Sequence, residues 1–285
     1  MILFKQVADL QAALSTARHE GKTIGFVPTM GALHEGHLSL LELARHQYDI
    51  TVCSIFVNPT QFNDPKDFEK YPVTTDADIR LLEQAGINML FLPGVSEIYP
   101  SGTTPGHHYD LGELEGLLDG AYRPGHFQGV CQVVHRLLDI VQPNALFLGQ
   151  KDYQQCLVLK RMVQLENIPV EIIMAPTRRE KDGLALSSRN MRLSPEAREK
   201  ATALYKALQY FGENITVKSI QELRLESSAF LLRNDFEKVD YIEVADAGSL
   251  LPVEEITPGL KLVLLTAAFI EGVRLIDNLE WTVAG

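Results

Sequence analysis

The chain has 285 residues, 46% of them hydrophobic and 22% charged, enough apolar material for one large core or two modest ones and too much for a disordered segment. A formal net charge of −11 makes sequence-independent binding to nucleic acid or to an anionic membrane unfavourable, and no apolar run approaches the roughly 20 residues a membrane span needs. Three widely spaced cysteines exclude a disulfide framework, and with a start (MILFKQVADL) that lacks a signal-peptide pattern they predict a cytoplasmic protein acting on small molecules.

Up to about residue 175, short apolar runs alternate with stretches of helical periodicity, the pattern of successive βαβ units around a parallel sheet. Predicted strands are Thr23–Val27, Ile50–Val57, Met89–Leu92, Ala145–Leu148 and Val170–Met174. Predicted helices are His37–Tyr48, Asp76–Gln84, Gly129–Val141 and Tyr153–Glu166. A polar segment follows, and Ser194-Pro195 reads as an N-cap with proline at the first helical position. Helices are expected at Pro195–Phe211 and Ile220–Asn234, then strands at Val239–Val244, Leu260–Ala268 and Val273–Asn278 without intervening helices. The expectation is therefore an α/β fold with a Rossmann-like, doubly wound parallel sheet over residues 1–177, a hinge at 178–190, and a smaller α+β unit at 191–285 acting as a lid.

Chemistry concentrates where strands are expected to end. In FVPTMGALHEGHLSLL a strand runs into a glycine-containing turn and then a helix. Helix N-termini at the carboxyl edge of a parallel sheet present free N–H groups to phosphate. His34 and His37, three apart, can share one face of the first turn and donate hydrogen bonds to the same anion. Taken singly, a histidine here is a capping or surface residue, but this HxGH string resembles the HIGH signature of the nucleotidyltransferase superfamily. LFLGQKDYQQ repeats the strand–turn–helix grammar with Lys151 at the turn, SIFVNPTQF places Gln61 after a strand, and REKDGLALSSRN puts Ser187, Ser188 and Arg189 on a linking segment. Neutral amides such as Gln61 and Gln155 suit a hydroxy acid, because they bind its oxygens without locking the carboxylate in a salt bridge.

Together PTMGALHEGH, FVNPTQF, RPGHFQGV, GQKDYQQ and DGLALSSRN resemble the signature blocks of the pantoate–β-alanine ligase family, most clearly through residues 1–195. That resemblance implies an ATP-dependent condensation of pantoate with β-alanine through a pantoyl-adenylate, giving pantothenate, AMP and pyrophosphate. It implies catalytic roles for His37, His34, Lys151 and Arg189. ATP is expected at Met30, Gly31, Ala32, Leu33, His34, Glu35, Gly36 and His37, at Gly149, Gln150, Lys151 and Asp152, and at Arg178, Leu186, Ser187, Ser188 and Arg189. Pantoate is expected on Gln61 and Gln155, with β-alanine also near Gln61. Mg²⁺ is expected with the ATP, Asp78 being the acidic residue considered as its ligand, and a homodimer formed through the N-terminal unit is implied. Gln150, Leu148, Val73 and Arg178 depart from the residues common at those places, and Arg123 and His126 are read as either facing the site or ordering a loop. Cys131, His135, His107 and His108 are read as packing and loop residues.

Overall fold

The computed structural model describes residues 1–63, 65–104 and 106–284, so Gly285, the last residue of the expected C-terminal unit, lies outside the described residues. In its N-terminal part six strands form one parallel sheet: β1 Ile2–Phe4, β2 Ile24–Thr29, β3 Ile50–Ile55, β4 Met89–Phe91, β5 Ala145–Gly149 and β6 Glu171–Ala175, in the order β1-β4-β3-β2-β5-β6. All ladders are parallel, with β2 set against β3 on one side and β5 on the other. The chain winds outward from β2 through β3 to β4, then returns to β5 and β6. The β2/β5 junction is therefore the topological switch point, and a crevice opens beyond the carboxyl ends of those strands.

Helices cover both faces. On one side α1 (Val7–His19) and the later α7 and α8 bury Leu10, Leu14, Val134, Leu137 and Leu159 against Phe26, Val52 and Phe91. On the other, α2 (Glu35–Gln47) packs Leu40, Leu41 and Ala44 on Val27, Cys53 and Phe147. Between β3 and α7 the chain forms α3 (Pro65–Glu69), α4 (Thr75–Gln84), α5 (Val95–Ile98) and α6 (Leu118–Tyr122); α7 spans His126–Val141 and α8 Tyr153–Leu165. The expected strands and helices of this part are present within a few residues, and two further elements, β1 and α1, precede them. β1 is a three-residue edge strand with Ile2 57% exposed, too short and too open for an apolar run to mark it.

The C-terminal part contains α9 (Pro195–Lys200), α10 (Ala203–Asn214), α11 (Ile220–Arg233) and an antiparallel sheet of β7 (Lys238–Asp246), β8 (Lys261–Ile270) and β9 (Val273–Thr282). The single helix expected over Pro195–Phe211 is broken at Ala201-Thr202, where the Thr202 hydroxyl turns back onto the Glu199 carbonyl at 2.8 Å. One face of the sheet carries α10 and α11 through Leu204, Leu208, Phe211, Leu223 and Leu231. The other lays Tyr241, Val263, Leu265 and Ala267 against Tyr153 of α8. β8 is thus covered on both sides, which explains its near-continuous apolar sequence KLVLLTAAFI.

Candidate active site

A cavity of about 280 Å³ opens at the switch point, lined from the N-terminal part by the ends of β2 and β5 and the starts of α2 and α8, and from the C-terminal part by β9. His34 is the N-cap of α2, and its Nδ1 accepts the Gly36 N–H at 3.2 Å. The His37 ring returns toward the cap and accepts the His34 N–H at Nδ1, 3.3 Å away. The two imidazoles lie 4.1 Å apart. A Cβ on Gly36 would sit 2.9 Å from the His34 ring, so the glycine of HxGH is what lets the first ring fold over the helix start. Burial, reinforced by Lys151, lowers His34 to about 4, and burial with the neighbouring His34 lowers His37 to about 3. Both rings are neutral donors at neutral pH.

The turn before them is braced from behind. Asp78, 1% exposed, accepts the Ala32 N–H at 2.9 Å, the Leu33 N–H at 2.8 Å and the Thr74 hydroxyl at 3.1 Å. Through these bonds both carboxylate oxygens of Asp78 hold the turn. The same bonds also place Ala32 and Leu33 behind the cavity wall together with Gly31, while Glu35 is exposed; Met30, His34, Gly36 and His37 line the cavity.

Across the switch point Gly149, Lys151 and Asp152 line the cavity and Gln150 does not. Lys151 lies 3.4 Å from the Asp152 carboxylate. Burial alone would raise Asp152, but Lys151 and Arg189 overcome it and hold the acid below its usual range. Asn278 of β9 donates to the carbonyls of both Gln150 and Lys151, at 2.9 and 2.8 Å. Leu186, Ser187, Ser188 and Arg189 also line the cavity, and the Ser188 hydroxyl is docked on the Ala32 carbonyl at 3.0 Å. Arg189 donates to Asp67 at 3.0 Å, and Asp67 also receives Arg192 at 2.7 Å. Burial works against the Asp67 charge, yet the two guanidinium groups keep it ionised. Arg178, which is exposed, and Leu148 complete this rim, while Val73 is 73% exposed and outside the lining.

Gln61 and Gln155 line the same cavity. Gln61 ends a 3₁₀ turn, Pro59–Gln61, capped by Asn58. Asn58, 1% exposed, donates to the Gln61 side-chain oxygen at 3.1 Å and the Gly129 carbonyl at 3.2 Å while accepting the Tyr99 hydroxyl at 2.8 Å. A Cβ on Gly129 would lie 2.4 Å from the Thr60 carbonyl, so α7 touches this turn only because glycine is there. Arg123 and His126 do both things considered for them: they line the cavity, and His126 Nδ1 donates to the Gln61 carbonyl at 2.8 Å while Nε2 accepts from Arg123 at 2.9 Å. The adjacent Gln154 is structural, bonded to the Asp119 N–H and the Leu114 and Leu117 carbonyls. His107 meets Glu166 and His135 meets the Tyr109 hydroxyl, away from the cavity lining.

Three acidic lining residues, Asp67, Asp119 and Asp277, were not expected from the sequence, whereas the fourth, Asp152, was. Asp67 pairs with Arg189, Asp119 with Arg274 at 2.7 Å, and Asp277 with Arg179 at 2.6 Å; Asp152 stands beside Lys151. Asp67 and Asp119 sit in short helices without apolar periodicity, and Asp277 and Arg274 belong to a C-terminal strand whose pattern announces only sheet.

Paired neutral imidazoles at a helix N-terminus, at the switch point of a doubly wound sheet and ringed by cations, define a nucleotide-binding α/β enzyme of the HIGH-motif kind. The family model described as Pantoate-beta-alanine ligase matches residues 2–280, and the chain belongs to that family. A pantothenate synthetase from Aquifex aeolicus is 46% identical over 280 residues, covering 97% of this chain and 98% of the relative. One from Cytophaga hutchinsonii is 42% identical over 281 residues, covering 98% and 99%. Among solved structures, a pantothenate synthetase from Thermus thermophilus superposes with a TM-score of 0.88 at 44% identity, covering 98% of this chain and 99% of that one. A pantoate-beta-alanine ligase from Francisella tularensis, complexed with beta-gamma ATP and beta-alanine, gives 0.83 at 35% identity, covering 98% and 97%.

Proposed function

We propose that the chain condenses pantoate with β-alanine at the expense of ATP, releasing AMP and pyrophosphate. The observation that carries this reading is the convergence of His34, His37, Lys151 and Arg189 with Gln61 and Gln155 on one cavity. In the first step a pantoate carboxylate oxygen bonds to the α-phosphorus and the bond to pyrophosphate breaks. The carboxylate is already a nucleophile at neutral pH, so the step needs alignment and neutralisation of developing charge rather than a general base. The Nε2–H groups of His34 and His37 donate to the phosphates, Lys151 and Arg189 supply charge, and Gln61 and Gln155 hold the hydroxy acid. In the second step the β-alanine amine attacks the acyl carbon and AMP leaves.

Met30–His37, Gly149–Asp152, Arg178 and Leu186–Arg189 form the nucleotide edge in this reading; Gly31, Ala32, Leu33, Glu35 and Gln150 shape it from outside the lining. The lining carboxylates Asp67, Asp119, Asp152 and Asp277 each face a cation, so Mg²⁺ would arrive with the ATP and rest mainly on phosphate and water, and no step is assigned to that ion. Residues 1–177, the hinge 178–190 and the C-terminal unit from 191 act as base, joint and lid. The reading extends to a homodimer through the N-terminal part and a cytoplasmic location; among the described residues no helix is long and apolar enough to cross a membrane.

Pyrophosphate exchange into ATP tests the reaction. Exchange that requires pantoate supports it, and exchange indifferent to pantoate points to AMP transfer onto another acceptor. His37→Ala, folded by circular dichroism, is expected to lose product formation by orders of magnitude.

A further inference from the structure

Arg123 follows α6 and lines the cavity only partly exposed. One of its nitrogens donates to neutral His126, and among the described residues it takes part in no ion pair. Its acidic neighbours in the lining are engaged elsewhere: Asp67 by Arg189 and Arg192, Asp119 by Arg274 and the Tyr241 hydroxyl, Asp277 by Arg179. Arg178, the other lining arginine outside these pairs, is exposed and satisfied by solvent. A guanidinium has five donors in a planar fork matched to a carboxylate, and a cation withdrawn from water without an anion is costly. Burial, with Arg189 adding repulsion, pushes Arg123 down to about 10 and leaves it charged at neutral pH.

We propose that Arg123 is the seat for the carboxylate of the amine substrate, β-alanine, holding the amine end beside Gln61. The inference rests on the ligase reading and assigns a subsite within it. Two carboxylates enter that reaction. Gripping the one that must attack phosphorus with an arginine fork would stabilise its ground state and slow it, whereas the β-alanine carboxylate takes no part in bond making and tolerates a tight ion pair. The location agrees, because one imidazole links the guanidinium to the Gln61 carbonyl. A fixed seat also sets length: two methylenes separate carboxylate from amine in β-alanine, and glycine or 4-aminobutyrate would place the nitrogen short of or beyond the acyl carbon.

The test compares β-alanine with n-propylamine, which keeps the chain and amine and lacks the carboxylate. The wild-type enzyme is expected to prefer β-alanine strongly in kcat/KM. Arg123→Met should lower kcat/KM for β-alanine by at least about thirtyfold, as loss of one partner of a buried charge pair does, and collapse the preference. Arg123→Lys should retain part of it, and decides the matter if the Met variant fails to fold. A preference that survives in the variants, or a change confined to pantoate KM or pyrophosphate inhibition, overturns the assignment. Pantoate-dependent exchange in the wild-type enzyme, measured without any amine, separately decides whether the ligase reading stands.

Discussion

The Nδ1 atoms of His34 and His37 both accept backbone N–H groups, from Gly36 and from His34 itself, so each neutral ring carries its proton on Nε2. Two donors are thereby fixed before any ligand arrives, and neither needs to gain a proton to act. The activity is therefore expected to show no histidine step between pH 5.5 and 8. In ¹⁵N spectra both rings should remain in the Nε2–H form down to pH 5. A titration of either ring near 6.5 would refute this arrangement.

Gly36 tests the geometry directly. In Gly36→Ala the new methyl meets the His34 ring at 2.9 Å, and the ring must leave its cap position. The expected cost is about 1 kcal/mol of helix capping, with a rise in KM for ATP exceeding that for β-alanine. An unchanged ATP KM would mean that the His34 ring position is immaterial to nucleotide binding.

On the proposed reading Asp67 competes with phosphate for Arg189, since its carboxylate is bonded to the guanidinium assigned to that anion. Asp67→Asn should free the guanidinium and tighten binding of a non-hydrolysable ATP analogue by roughly fivefold, about 1 kcal/mol, while loosening α3. Calorimetric titration showing weaker binding would instead make Asp67 a support that holds Arg189 in place.

Stability should also carry a pH signature. His34, His37 and His126 have folded-state values of about 4, 3 and 3, below the ordinary 6.5, with burial the leading cause in each. The unfolded chain therefore binds more protons below pH 6.5. Stability from these groups is complete above that pH and is lost as pH falls, with a slope approaching about 1.4 kcal/mol per pH unit for each ring. Urea midpoints that stay flat between pH 6.5 and 4.5 would contradict the burial of these rings as neutral species.

The sheet strands other than β1, and the HxGH turn, were legible because their signals are local: apolar runs of strand length, then glycine, then helical periodicity. Gln61 and Lys151 were legible for the same reason, each standing just past a strand. Asp78 was not, since its bonds to Ala32 and Leu33 join residues 46 and 45 positions apart in the chain, and an acid in the first turn of α4 looks like ordinary helix-dipole chemistry. The break at Thr202 escaped because α9 and α10 share one apolar face, so periodicity runs through the interruption. The acids facing Arg189, Arg274 and Arg179 come together only by tertiary packing, and spacing along a chain carries no trace of that.

Asn278 grips the carbonyls of Gln150 and Lys151 from the last strand of the fold. During synthesis, then, every residue expected to meet the phosphates has emerged long before the side chain that steadies their turn. A nascent chain that stops short of β9 would carry the whole recognisable signature and still lack the cavity wall that Arg274, Leu275, Ile276 and Asp277 supply.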